Sequence, residues 1–67
     1  MSEITNIAKR RLELGLTQQQ VSDKSRVPYP TYQKLDNGTT DFSKALVDTA
    51  VRIAKALDTT VEKLSKD

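Results

Sequence analysis

Sixty-seven residues with eleven Lys and Arg against nine Asp and Glu, a formal net charge of +2, and neither cysteine nor histidine describe a single domain, residues 1–67. Such a chain lies near the lower limit at which packing suffices without a staple, and it can form neither a disulfide nor a zinc site built from the usual nitrogen and sulfur ligands. The commonest general base and the readiest nucleophile are absent, and Gly15 and Gly38 alone cannot build a phosphate-cradling loop, so the chain reads as a non-enzyme with no cofactor and no metal.

Apolar runs are only a few residues long, which predicts no membrane span and a soluble, cytoplasmic protein. The charge is unevenly placed. Residues 1–34 hold six basic and three acidic side chains, whereas residues 35–67 hold five basic and six acidic. A polyanion would meet the front half; a solvated surface with chance asymmetry would have the same composition.

Taken in chain order, Ile4, Ile7, Ala8 and Leu12 follow helical spacing, with Ser2 as the expected cap and Gly15 as the stop. Thr17 opens a second helix through the capping-box pattern Thr17-x-x-Gln20, with Val21 turned inward. That helix ends near Ser25 and Arg26. Two or three residues later the prolines of Val27-Pro28-Tyr29-Pro30 mark a third helix, since proline is tolerated where the first N–H groups have no partner. The pre-proline bias of Tyr29 sets its start near Pro30. Tyr32 and Leu35 form its inner face, and Asn37-Gly38 stops it near Asp36.

Residues 39–42 read as a loop and Ser43 as the cap of a fourth helix. The apolar positions Leu46, Val47, Ala50, Val51, Ile53, Ala54 and Leu57 predict a wide buried face for it. Thr60 caps a short fifth helix in which Val61 and Leu64 turn inward.

A short joint between the second and third helices forces a large crossing angle and leaves the third helix projecting, the geometry of a helix-turn-helix. At this point Leu16-Thr17-Gln18, Val21, Ser22, Val27, Tyr32, Leu35, Asp36-x-Gly38 and Ile53-Ala54-Lys55-Ala56-Leu57 resemble the Cro and phage-repressor-like helix-turn-helix family, the xenobiotic-response-element type. The likeness covers residues 4–64. It implies an all-α, compact five-helix bundle of the lambda-repressor-like type, with the helix-turn-helix formed by helices 2 and 3. Three departures stand out. Arg26 occupies a turn position often held by glycine, Ser25 a position commonly apolar, and the stretch from Gly38 to Ile53 is about three residues longer than in many phage repressors.

The resemblance also implies roles. Gln18, at the first turn of the second helix, is expected to meet a DNA phosphate, though the same position suits a solvated glutamine. Asn37 and Thr39 match a second phosphate clamp, and Asn37 also serves as a helix stop. Lys9 and Arg10 are further phosphate candidates. Arg11 and Asp36 match a pair that ties the first helix to the end of the third.

The exposed front of the third helix, Tyr29, Pro30, Thr31, Gln33 and Lys34, is the candidate base-reading surface. Gln33 suits a bidentate contact to adenine, Lys34 suits guanine, and Pro30 and Thr31 suit a thymine methyl. Tyr29 can stack on backbone sugar or shield the joint. The prolines either fix the front of a reading helix or simply terminate a turn.

The expected function is sequence-specific binding of double-stranded DNA by a transcriptional regulator, most simply a repressor. It would act as a homodimer on a two-fold symmetric operator, with Leu57, Val61 and Leu64 as the dimer contacts. An antitoxin-like or other protein-interaction module is the alternative reading.

Overall fold

A computed structural model of the chain describes residues 4–65. Helix α1 (Asn6–Glu13) is capped by Thr5, whose hydroxyl accepts the Ala8 N–H at 3.0 Å. The expected cap, Ser2, lies outside the described residues. Because the helix starts at Asn6, Ile4 precedes it and is exposed, as is Leu12; Ile7 and Ala8 alone carry the inner face. Gly15, at φ +69°, lets the Leu16 N–H turn back to Arg11 O at 3.1 Å.

Helix α2 (Gln18–Ser25) opens with the full capping box: Thr17 Oγ1 accepts the Gln20 N–H, and Gln20 Oε1 accepts the Thr17 N–H at 2.8 Å. It stops at Arg26, in the left-handed conformation at φ 60° and ψ 30°. The joint is then closed by two reciprocal bonds. Val27 N–H donates to Ser22 O at 3.2 Å, and Ser22 Oγ donates back to Val27 O at 2.7 Å. Ser25, at the commonly apolar position, is buried with its hydroxyl donating to Ser22 O.

Helix α3 (Tyr29–Asp36) starts one residue before the expected Pro30, with Pro28 as its cap. Pre-proline bias does not exclude Tyr29, because Pro28 O accepts the Tyr32 N–H at 2.9 Å and closes the first turn around it. The prolines thus occupy the cap and second positions, where an N–H has no helical acceptor. Gly38 has φ +84°, and a Cβ there would sit 3.3 Å from Thr5 Cγ2.

The next segment departs from the sequence expectation. Ser43 does not cap α4. It lies inside a 3-10 turn (Phe42–Lys44) and donates its N–H to Asp41 Oδ1 at 3.0 Å. That turn consumes the residues that would have made a first helical turn, so α4 (Val47–Ala56) begins later, with Leu46 as an N-cap that makes no side-chain bond. Leu46 and Val47, expected to face inward, are 77% and 79% exposed. The buried stripe is Ala50, Ile53, Ala54, Ala56 and Leu57, with Val51 half-buried.

Asp58, also at positive φ, ends α4 in the manner of Arg26, with the Thr59 N–H returning to Ala54 O at 2.9 Å. Thr60 caps α5 (Val61–Ser65) through the Lys63 N–H. Ile7, Val21, Val27, Tyr32, Leu35, Ile53, Leu57 and Leu64 then form one continuous core drawn from all five helices and the joint. Fully burying a side chain such as Ile53 or Leu57 contributes about 1.5–3 kcal/mol. The arrangement is the all-α, lambda-repressor-like bundle, with α2 and α3 as the helix-turn-helix.

Candidate nucleic-acid interface

Helix α3 has two chemically distinct faces. Tyr32, Leu35 and Asp36 point inward, while Pro30, Thr31, Gln33 and Lys34 are exposed and Tyr29 is half-buried. Eight residues of helix span roughly 12 Å, about the width of a B-DNA major groove. The outer face offers amide, ammonium and hydroxyl groups side by side, with Pro30 as the apolar member among its exposed residues.

Asp36 organises what lies behind that face. Its carboxylate accepts from Arg11 Nε at 2.8 Å, from Gln18 Nε2 at 2.9 Å and from the Tyr32 hydroxyl at 2.7 Å. Burial by itself would raise its pKa, but the donors from Arg11, Gln18 and Tyr32 outweigh burial and hold it below the ordinary 3.8. Hydrogen bonding to Asp36 holds the Arg11 guanidinium protonated above its usual range, and burial followed by donation to Asp36 pushes the Tyr32 phenol upward. Arg11 also donates Nη1 to Leu16 O at 3.0 Å, and Thr5 Oγ1 donates to the Asp36 carbonyl. One carboxylate therefore fastens α1, the start of α2 and the end of α3 together.

Gln18 is not the free, exposed amide that the sequence suggested. It is half-buried, with Nε2 given to Asp36 and Oε1 accepting a long, 3.4 Å bond from the Tyr29 hydroxyl. Its side chain links both ends of α3. At the start of α2 the capping box takes the Thr17 and Gln20 N–H groups, which leaves those of Gln18 and Gln19 without an intrahelical acceptor at the positive end of the dipole.

Beyond α3, Asn37 and Thr39 are exposed, and Asn37 Oδ1 accepts the Thr39 N–H at 2.9 Å. These residues bracket the C-terminal end of the same helix. The frame, a bonded three-residue joint carrying a polar-fronted helix, matches the helix-turn-helix family over residues 7–64. The chain is a member of the Cro/C1-type helix-turn-helix family. That family supports a DNA-binding transcription regulator. No curated protein and no solved structure matched the chain. Among the described residues, no helix is long and apolar enough to cross a membrane.

Within this helix-turn-helix protein the remaining candidates separate. Arg10 is committed to the fold: Nε donates to Leu57 O at 2.9 Å and Nη2 to Asp58 O at 3.1 Å, joining α1 to the end of α4. Lys9 is exposed, but it lines a groove with Asn6, Asp58 and Lys63 on the α1–α5 side, apart from the outer residues of α3. Leu57 and Leu64, expected at a dimer seam, are 0% and 5% exposed, so their own core already occupies them. Val61 is half-buried and packs against that core.

Sequence reasoning gave no weight to the Ser22 latch, to Thr5 as both cap and tether of Asp36, or to the exposure of Leu46 and Val47. A serine five residues before the joint's valine carbonyl was the available signal for the first. For the last, the signal was a leucine where a capping residue is preferred.

Proposed function

We propose that this helix-turn-helix protein is a sequence-specific repressor that binds a two-fold symmetric operator as a homodimer, in the cytoplasm and on the nucleoid. The observation that supports this most is the polar outer face of α3 held on a rigid joint: Gln33 and Lys34 stand exposed while Tyr32, Leu35 and Asp36 of the same helix are buried. A helix whose backbone is held in place before binding loses less conformational entropy on docking.

In this reading Gln33 and Lys34 read base edges, Pro30 and Thr31 meet a thymine methyl, and Tyr29 lies against the sugar–phosphate edge. The Gln18 and Gln19 N–H groups at the start of α2, with the Gln18 side chain positioned by Asp36, meet a phosphate at one end of α3. Asn37 and Thr39 meet one at the other. Dimerisation is supported by the area argument: one helix-turn-helix domain presents a single reading helix, and a single module has little area for high specificity. A repressor needs no more than occupancy of the operator.

Titration of duplex DNA against salt tests the reading. Three or four phosphates engaged per half-site give a log–log slope of about −5 to −7 for the dimer. Gln33→Ala and Lys34→Ala each relax base preference, with a loss of about 1–3 kcal/mol in discrimination. A flat salt response, or unchanged base preference in both variants, contradicts the proposal.

A further inference from the structure

The positive charge of the chain is gathered at a place that the reading helix does not use. Lys24 and Arg26 at the end of α2, with Arg52 and Lys55 of α4, line a groove of ≈ 330 Å³ whose floor is Ser25 and Ala56, both buried. All four cations are exposed, and no carboxylate lines the groove. Asp48, outside the lining, bonds Arg52 Nη2 at 3.1 Å, and Asp23 accepts from Gln19 Nε2. Lys24, Arg26 and Lys55 take part in no ion pair among the described residues. With these four cations and Asp48 set aside, the eleven basic and nine acidic side chains of the chain become seven and eight, so its net positive charge resides here.

Local structure explains only part of this gathering. Lys24 and Lys55 stand in the last turns of α2 and α4, where the helix dipole favours cations. The dipole does not account for Arg26, which holds the left-handed conformation at φ 60° where glycine would be free of the steric cost. Like charges around one groove also repel. Stability given up in two ways at one spot points to function there.

The groove takes no residue from α3, from Gln18 and Gln19, or from Asn37 and Thr39. It opens at the far end of α2, roughly 10 Å along the helix from Gln18, and against α4. A duplex seated on α3 and the start of α2 does not need it. Its volume admits a few side chains rather than a folded surface, and two guanidinium groups over a floor of small residues suit planar carboxylates, which arginine grips with paired hydrogen bonds. We infer that this groove docks an acidic, extended segment of a partner protein, with Arg26 and Arg52 gripping its carboxylates and Lys24 and Lys55 adding charge. Exposed ion pairs are individually weak, so several act together and the docking is salt-sensitive. Docking of this kind does not depend on DNA binding.

At low salt, a fluorescein-labelled peptide of six glutamates should bind saturably, and in isotope-labelled protein it should shift the amides of residues 24–26 and 52–56 rather than those of α3. The matching peptide of six glutamines should do neither. Arg26→Gly removes a cation and relaxes the backbone, so it should melt no lower than the parent. Combined with Arg52→Gln, it should lose about fivefold or more in peptide affinity, whereas Lys63→Gln, on α5, should bind as the parent does. Absence of saturable binding, amide shifts centred on α3, or an equal loss in Lys63→Gln overturns the docking site. A random-sequence duplex supplies the second arm. Unchanged duplex affinity in Arg26→Gly/Arg52→Gln upholds the inference; a loss matching that of the peptide makes the groove a phosphate contact and overturns it.

Discussion

At the scale of single residues, two side chains show how local chemistry sets the interface. Asp36 is buried yet ionised, because Arg11, Gln18 and Tyr32 donate to it. Its pKa is lower folded than unfolded, so its stabilising contribution is fully present above the ordinary 3.8 and is lost as pH falls through the depressed native value. Acid titration of stability should lose part of its slope in Asp36→Asn. Asp36→Ala strands the largely buried Arg11 guanidinium and should cost about 3 kcal/mol by urea denaturation; a loss below about 1 kcal/mol would mean the network is dispensable. Arg26 is the opposite case. A non-glycine residue in the left-handed conformation costs about 1–2 kcal/mol, and glycine there costs about 0.5–1 kcal/mol in chain entropy. Arg26→Gly should therefore stabilise the protein by up to about 1 kcal/mol, and a destabilised variant would show that the arginine side chain contributes packing of its own.

At the scale of elements, the joint between α2 and α3 was legible in the sequence, because the capping box, the prolines and Asn37-Gly38 are short-range signals that need no tertiary context. The start of α4 was not. Ser43 resembles a cap and Leu46-Val47 resemble a core stripe, but Asp41 captures the Ser43 N–H and folds residues 42–44 into a 3-10 turn that shifts the helix onward. Periodicity alone cannot register such a shift. The intramolecular partners of Gln18 and Arg10 were not legible for a related reason: a long polar side chain on a helix surface does not reveal in sequence which neighbour takes its hydrogen bonds, here Asp36 for Gln18 and the Leu57 and Asp58 carbonyls for Arg10. The α2–α3 latch gives a further expectation. Ser22→Ala leaves the buried Val27 carbonyl without its hydroxyl donor and should cost about 1–2 kcal/mol in stability. The same change should weaken DNA binding by loosening the joint; stability lost with affinity fully retained would separate the latch from function.

At the scale of the whole molecule, five short helices bury one core and leave two surfaces that the core does not need: the polar front of α3 and the apolar pair at the head of α4. The first suits a base-pair edge, and Leu46 of the second lies beside it in a groove shared with Thr31 and Lys34. The most direct measurement of whether α3 reads sequence is selection of bound sequences from a random duplex pool. Enrichment of a two-fold symmetric consensus, its half-sites about one helical turn apart, is the expected result. Recovery of the input pool without enrichment would contradict sequence-specific recognition by α3.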